Sequence, residues 1–141
     1  MEKTKIVFAG NYHFQNNNIL VLADYMEELC ITGITETGEN TIALYKTVQP
    51  DIIFIDAYLS GLTGFEVGRI IKEQNNAVKI IIVSENFNYD FFNLSRELDL
   101  NGYLPKNARK ELISTVLKSA VAREKCFDLV VGHTFLSQEQ A

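Results

Sequence analysis

The sequence has little of what several protein classes depend on. Its only cysteines, Cys30 and Cys126, are too few and too far apart to suggest a disulfide framework or a zinc site. A formal net charge of −5 argues against a broad basic surface for nucleic acid. No apolar run reaches the length of a membrane span, and no signal-peptide hydrophobic region follows the first residues. We therefore predict a cytoplasmic protein with no membrane partner.

What the 141 residues contain instead is an alternation of short apolar runs and helical stripes. Each run ends in polar or turn-forming residues, and apolar residues then recur at helical spacing, which is typical of a buried strand followed by an amphipathic helix. Five such alternations predict one α/β domain with a doubly wound parallel sheet in the order 2-1-3-4-5, a flavodoxin-like fold. The predicted strands are residues 6–9, 32–37, 52–55, 78–83 and 103–104.

The helical stripes carry several local predictions. The first stripe runs from Ile19 to Cys30, so the Cys30 thiol is predicted to be buried. Thr63 and Glu66 have the spacing of a capping box, which predicts that the third helix begins there. Asn107 is predicted to cap the last helix.

Four aromatic residues crowd the start of the predicted fourth helix. Phe91 lies on the helical stripe and is predicted to pack in the core. Exposure of Phe87, Tyr89 or Phe92 would favour an interface, because exposed aromatic side chains often mark one. Ordinary packing is the alternative interpretation for each of them.

Four of the predicted strands end in polar or permissive residues at the same edge of the sheet. Asp56 follows the third strand, Ser84 the fourth and Lys106 the fifth, while Gly10 and Asn11 follow the first. These strands are neighbours in the predicted order, so the residues converge in one crevice. A nucleophilic carboxylate, a hydroxyl donor and an ammonium that neutralises phosphoryl oxygens form a coherent set for phosphoryl chemistry. Taken singly, each has a plainer interpretation as a turn former, a helix cap or a solvated lysine.

A wider set of residues forms a known pattern: Pro50, Asp51, Asp56, Gly64, Glu66, Ser84 and the stretch 102–106. With this pattern, the chain resembles over residues 4 to 125 the receiver domain of response regulators, the CheY-like family of two-component signalling. The resemblance implies that Asp56 accepts a phosphoryl group from a histidine kinase and that Lys106 pairs with the phosphoryl oxygens. It also implies that Ser84 binds the phosphoryl group and shifts, that Tyr103 rotates inward behind it, and that the domain signals rather than acts as an enzyme.

The chain departs from this family at the metal site. The family usually has two adjacent acidic residues after the first strand, which hold Mg²⁺ together with the phosphoacceptor and a backbone carbonyl two residues beyond it. Gly10 and Asn11 stand at those positions, and the remaining ligands are Asp56, the Tyr58 carbonyl and the neutral Asn11 side chain. Magnesium favours charged oxygen ligands in octahedral geometry. We therefore expect weak or absent Mg²⁺ binding and slow or absent phosphotransfer.

A second departure is Glu85, which follows Ser84 where the family usually has a small residue. A carboxylate there could repel an incoming phosphate or partly mimic it. The alternative is a solvated glutamate in a first helical turn, where the helix dipole favours it.

The sequence is predicted to consist of a domain and a C-terminal extension. Residues 1–125 are predicted to form the receiver domain, and residues 126–141 a C-terminal extension. Within it, residues 132–141 resemble the segment that joins a receiver to a LuxR-type helix-turn-helix domain in NarL-class regulators, a frayed tail being the alternative. That resemblance implies a homodimer that controls transcription and contacts DNA only through an absent domain.

Two other functions compete with a phosphorylated receiver. The first is a pseudo-receiver, a protein–protein interaction module that is never phosphorylated, which the missing acidic pair favours. The second is a small flavodoxin-like enzyme or nucleotide-binding protein, which is disfavoured because no glycine-rich phosphate loop follows the first strand.

The predicted metal ligands lead to a testable expectation about Mg²⁺ affinity. Asn11→Asp, alone or combined with Gly10→Asp, should tighten Mg²⁺ binding because it restores carboxylate ligands. A metal titration measures this affinity, and an unchanged affinity would mean that the metal site is misplaced.

Overall fold

The β-branched and aromatic residues of the apolar runs form strands because the faces of a parallel sheet are covered by helices. The computed structural model describes residues 2–11 and 18–130. Its strands are β1 (Thr4–Ala9), β2 (Leu29–Thr35), β3 (Ile52–Asp56), β4 (Lys79–Ser84) and β5 (Gly102–Pro105). The helices that alternate with them are α1 (Asn18–Tyr25), α2 (Gly38–Val48), α3 (Gly64–Gln74), α4 (Tyr89–Glu97) and α5 (Lys110–Val121).

The strands form one parallel sheet in the order β2-β1-β3-β4-β5, which confirms the predicted flavodoxin-like topology. α1 packs against α5, and α2 packs against α3, so the helices cover both faces. The central strand β3 is buried along its whole length. This burial explains why residues 52–55 show no alternation of apolar and polar side chains.

The register between β1 and β3 sets the geometry of the carboxyl edge. Phe8 is the register partner of Phe54, and their ring centroids lie 5.5 Å apart. Ala9 is likewise level with Ile55. The residues that leave β1 therefore emerge directly beside Asp56, the last residue of β3.

The predicted start of α3 is confirmed. The Glu66 backbone N–H donates a hydrogen bond to the Thr63 hydroxyl at 3.2 Å, and that hydroxyl donates to Glu66 Oε1 at 3.3 Å. Thr63 thus satisfies one of the N–H groups that a helix leaves free at its first turn.

The prediction for the end of the first helix was wrong. α1 ends at Tyr25, whereas Leu29 and Cys30 begin β2. Cys30 is exposed rather than buried, because neighbouring residues of a strand face opposite sides of the sheet and Leu29 takes the buried side. The error arose because a short apolar stretch fits both the helical and the strand period.

The prediction for the cap of the last helix was also wrong, and the one for Phe91 holds only in part, because Phe91 packs against the core without being fully buried. Asn107 does not cap α5; its side chain donates to Asn86 Oδ1 at 3.0 Å, and the capping position is Arg109. In α4 it is Phe92 that is fully buried, whereas Phe91 is half-buried. Because α4 begins at Tyr89, the two residues of this helix that face the sheet are Phe92 and, one turn later, Ser95.

Within residues 2–11 and 18–130, no helix is long and apolar enough to cross a bilayer. The prediction of a cytoplasmic location stays a prediction.

The Thr63 cap generates a stability prediction. Thr63→Ala should lower the free energy of unfolding by about 1 kcal/mol, because an N–H of the first turn of α3 loses its acceptor. Thr47→Ala is the matched control, since the Thr47 hydroxyl is exposed late in α2 and donates to the Ala43 carbonyl. Urea denaturation measures both. Equal losses in the two variants would contradict the capping role.

Candidate functional site

A cleft of about 410 Å³ lies at the carboxyl edge of the sheet. It brings together most of the residues that the sequence singled out, since the ends of β1, β3, β4 and β5 meet there. Its apolar wall is aromatic, and the Tyr58 and Phe91 rings meet edge-on at 5.4 Å. The cleft residues that carry polar chemistry are Asn11, Asp56, Ser84, Glu85, Asn86 and Lys106.

The centre of the cleft is an ion pair between Asp56 and Lys106. Lys106 Nζ lies 2.9 Å from Asp56 Oδ2, and each side chain is only 12% exposed. The Lys106 backbone N–H donates to the Ser84 carbonyl at 2.7 Å, which continues the pairing of β4 with β5. Because the two charges are largely removed from water, each depends on the other to remain there.

The backbone that leaves β1 closes over the same carboxylate. The Asn11 N–H donates to Asp56 Oδ2 at 3.1 Å, and Lys106 Nζ donates to the Asn11 carbonyl at 3.3 Å. Gly10 has a φ of 140°, and a Cβ at this position would overlap the Asp56 carboxyl carbon. Glycine is thus required here for both its backbone conformation and the space it leaves.

The two oxygens of Asp56 differ in their surroundings. Oδ2 is held by Lys106 and the Asn11 N–H, whereas Oδ1 is buried with no hydrogen-bond partner among residues 2–11 and 18–130. An unsatisfied buried oxygen is unusual in a folded protein and calls for an explanation, such as a catalytic role. Within the described residues, Oδ1 is the Asp56 oxygen whose lone pairs are not engaged.

Ser84 and Tyr103 form a hydrogen-bonded pair behind the cleft. The Ser84 hydroxyl donates to the Asn86 carbonyl at 2.6 Å and is hydrogen-bonded to the Tyr103 hydroxyl. The Asn88 N–H donates to the Tyr103 oxygen at 2.9 Å. The Tyr103 hydroxyl also lies within 3.3 Å of the Asn86 carbonyl, so either hydroxyl can donate to the other while the other donates to Asn86. In both arrangements the Ser84 proton is engaged, so the Ser84 hydroxyl must turn before it donates to a ligand in the cleft.

Tyr103 is completely buried. Burial raises the pKa of its phenol, and the hydrogen bond with Ser84 opposes that rise. The phenol therefore stays neutral and able to donate at neutral pH.

Glu85 reaches the same lysine from outside. Its Oε1 lies 3.2 Å from Lys106 Nζ, but the Glu85 side chain is 80% exposed. An ion pair with such an exposed partner contributes little to stability. The geometry places Glu85 at the mouth of the cleft, where it competes with Asp56 for the lysine.

These residues do not fit a magnesium site built on several carboxylates. In the part of the chain that the structure describes, no group of three or more His, Cys, Asp and Glu side chains comes together. The Asp56 carboxylate is already engaged by an ammonium and a backbone N–H, and Gly10 has no side chain. Asn11 is exposed, and Tyr58 lies at the cleft with its side chain largely in solvent.

The chain is similar in fold and in sequence to a known family of signalling domains. The fold is that of CheY-like signalling domains, and a family model described as the response regulator receiver domain matches residues 15–118. The chain belongs to the response regulator receiver domain family. The matched range begins after β1 and leaves out Gly10 and Asn11, where the chain departs from the family pattern.

Two curated relatives show the same affiliation. YdfI, a transcriptional regulatory protein of Bacillus subtilis (strain 168), is 25% identical over 118 residues, which cover 83% of this chain and 54% of that protein. NarL, a nitrate/nitrite response regulator protein of Escherichia coli (strain K12), is 22% identical over 123 residues, 87% of this chain and 57% of that protein. The chain thus spans about half the length of the curated relatives it matches.

Solved structures agree on the fold. The receiver domain of the putative response regulator NarL from Mycobacterium tuberculosis has a TM-score of 0.76 at 15% identity, covering 86% of this chain and 98% of that one. The isolated receiver domain of RcsB from Salmonella enterica serovar Typhimurium has a TM-score of 0.78 at 16% identity, covering 88% and 92%. Receiver domains are signalling domains that histidine kinases phosphorylate, and they generally bind Mg²⁺ at an acidic pocket.

Sequence reasoning missed two parts of the site. Asn86 and Asn88 hold the hydroxyls of Ser84 and Tyr103 through backbone groups, which no side-chain pattern reveals. Asn88 also caps α4, since its Oδ1 accepts from the Phe91 N–H at 3.0 Å. An asparagine directly before the aromatic start of α4 is a capping signal that could have been found.

The contact at Gly10 changes what substitutions there should do. An aspartate at position 10 would displace the Asp56 carboxylate before it could act as a ligand, so Asn11→Asp alone is the informative test of metal binding.

Gly10→Ala should lower the free energy of unfolding by about 3 kcal/mol, because it combines backbone strain with overlap of a packed group. Gly61→Ala is the matched control. Gly61 also has a positive φ, of 88°, but a Cβ there meets open space. That variant should lose about 1 kcal/mol in the same denaturation experiment. Similar losses at both positions would show that Asp56 does not occupy the space beside Gly10.

Proposed function

We propose that the chain is a signalling receiver in which Asp56 accepts a phosphoryl group from a histidine kinase. The observation that carries this proposal is the buried pair of Asp56 and Lys106, whose atoms lie 2.9 Å apart at the carboxyl edge of the sheet. Ser84 lines the same cleft and Tyr103 lies behind it. A nucleophile, a cation and a hydroxyl thus converge where α/β folds bind ligands.

The proposed reaction uses the free oxygen of Asp56. Oδ1 forms a P–O bond with the phosphoryl group of a phosphohistidine, and the P–N bond breaks with its electron pair passing to the histidine nitrogen. When the other ring nitrogen of the phosphohistidine carries a proton, the leaving group is neutral imidazole. Lys106 moves from the Asp56 carboxylate to the phosphoryl oxygens, and Ser84 donates to another of them.

Magnesium binding is proposed to be weak or absent in this chain. The role of the cation falls to Lys106, with the Asn11 N–H as a further donor to Asp56. An ammonium and an N–H stabilise less transferring charge than a divalent ion, so phosphotransfer should be slow. Glu85 adds a negative charge at the mouth of the cleft and slows it further.

The output is proposed to be a change in self-association or domain contact that controls transcription. Transcriptional regulators are among the relatives, and the chain covers about half of each. We propose a homodimer in the cytoplasm whose DNA contacts come from a helix-turn-helix domain outside residues 1–141. The predicted division after residue 125 stays a proposal, and residues 132–141, which resemble a linker, lie outside the described residues.

The alternative is an interaction module that is never phosphorylated. What supports the phosphoacceptor over it is the retention of the whole set of Asp56, Ser84, Tyr103 and Lys106 around an oxygen with no partner in the described chain. A module without phosphoryl chemistry has no need of such an oxygen, which is costly to bury.

Incubation with acetyl phosphate tests the proposal. Intact mass should show a gain of one phosphoryl group in the wild-type chain and none in Asp56→Asn, which removes the nucleophile. Asp90→Asn is the matched control, because Asp90 is an exposed carboxylate in the first turn of α4 and outside the cleft.

The same reaction run with Mg²⁺ or with EDTA tests the metal. Similar rates in both are expected for the wild type, whereas Asn11→Asp should become faster with Mg²⁺. Absence of any Asp56-dependent gain under every metal condition would leave the interaction module as the function.

A further inference from the structure

The chain that follows α5 turns back and packs on the receiver body. Cys126 and Val130 are completely buried, and Phe127 is 8% exposed. Residues 127–130 form a short helical turn. The segment 124–130, which we name the docked segment, therefore forms part of the hydrophobic core rather than a tail.

One side of the docked segment binds the start of β5. The Cys126 N–H donates to the Asn101 carbonyl at 3.1 Å. The Cys126 sulfur fills the space left by Gly102, where a Cβ would overlap it. Lys125 forms an ion pair with Asp99 just before that strand. A backbone hydrogen bond and a glycine cradle define one position for the segment.

The other side of the docked segment rests on α4. The Phe127 ring meets the Phe92 ring edge-on, with centroids 5.6 Å apart. The Arg96 guanidinium lies over the same Phe92 ring, 5.6 Å from its centroid. Phe92 is itself almost completely buried. Phe92 therefore connects α4 to the docked segment by ring packing.

Phe92 also contacts Tyr103, the aromatic residue behind the cleft. Their ring centroids are 6.2 Å apart and nearly perpendicular. The Tyr103 hydroxyl accepts the Asn88 N–H at 2.9 Å, and Asn88 caps the helix that carries Phe92. The position of Tyr103 thus fixes the first turn of α4 by ring packing and by a hydrogen bond. From Ser84 to Phe127 the contacts are continuous.

We propose that the docked segment is an output element whose attachment depends on Tyr103 through Phe92. Tyr103 held inward keeps α4 and Phe92 in the position that receives Phe127, and loss of its hydrogen bonds releases the segment. The element connects the cleft to whatever follows residue 130. One part of this inference rests on the proposed function, namely that the signal that reaches Tyr103 begins with phosphorylation of Asp56.

The alternative is that residues 124–130 simply enlarge the core. Their attachment would then depend on their own contacts and on global stability, and not on the Tyr103 hydroxyl. The two cases therefore predict different results when the Tyr103 hydroxyl is removed and the contacts of the docked segment itself are kept. Attachment weakens if the segment is an output element, and it is unchanged if the segment only enlarges the core.

Cys126 is a built-in reporter of attachment. Burial raises the pKa of its thiol to about 12, so the attached thiol hardly reacts with a maleimide at neutral pH. Cys30 is exposed and serves as the internal standard for the reagent. The experiment labels the unphosphorylated 141-residue chain with N-ethylmaleimide and follows each cysteine by peptide mass.

Tyr103→Phe keeps the ring and removes the hydroxyl. Labelling of Cys126 should accelerate about fivefold, the factor that corresponds to one net hydrogen bond. Tyr45→Phe makes the same change at another buried tyrosine, on α2, and should leave the rate unchanged. The free energy of unfolding of each variant is measured in the same buffer, so that labelling through global unfolding is subtracted.

The reverse direction provides a second readout. Phe127→Ala, or Phe127→Leu if the first variant folds poorly, should speed hydrogen exchange of the Asn88 amide, because coupling between two sites is reciprocal. Equal Cys126 labelling in Tyr103→Phe and Tyr45→Phe, or an unchanged Asn88 amide, would overturn the proposal. Since no phosphoryl group is used, these outcomes are independent of whether Asp56 is phosphorylated.

Discussion

The buried contact between the Asp56 carboxylate and the Lys106 ammonium is the interaction on which the rest of the site depends. It joins the ends of β3 and β5, two strands that are separated by β4 in the sheet. Each charge is largely hidden from water and tolerable only beside the other. The Asn11 backbone completes the arrangement by donating to the carboxylate and accepting from the ammonium. The ends of β1, β3 and β5 are thus joined at the cleft by one ion pair and two hydrogen bonds.

Gly10 shows how this arrangement differs from a site built around a metal. A side chain at this position and the present position of Asp56 exclude each other, because a Cβ would overlap the carboxyl group. An acidic pair next to Asp56 would need a cation to offset its repulsion, whereas here one carboxylate is matched by one lysine. The glycine at position 10 and the position of the Asp56 carboxylate beside Lys106 therefore belong to the same geometry.

Behind the cleft, aromatic packing replaces charge as the means of contact. Ser84 and Tyr103 are linked by their hydroxyls, and Tyr103, Phe92 and Phe127 meet in a series of near-perpendicular ring pairs. Close-packed rings cannot move independently, because the interior leaves little empty volume. The docked segment is therefore attached to the aromatic residues that lie directly behind the cleft.

The sequence alone determined the strand order and the convergence of Asp56, Ser84 and Lys106, because apolar runs locate buried strands and parallel strands end at a common edge. It also located the α3 cap, which is a contact between residues three positions apart. Only the tertiary structure decided that Cys30 is exposed and that Gly10 makes room for Asp56. The physical reason is range: periodicity reports which face of an element is apolar, whereas a contact between distant segments depends on how the folded elements meet.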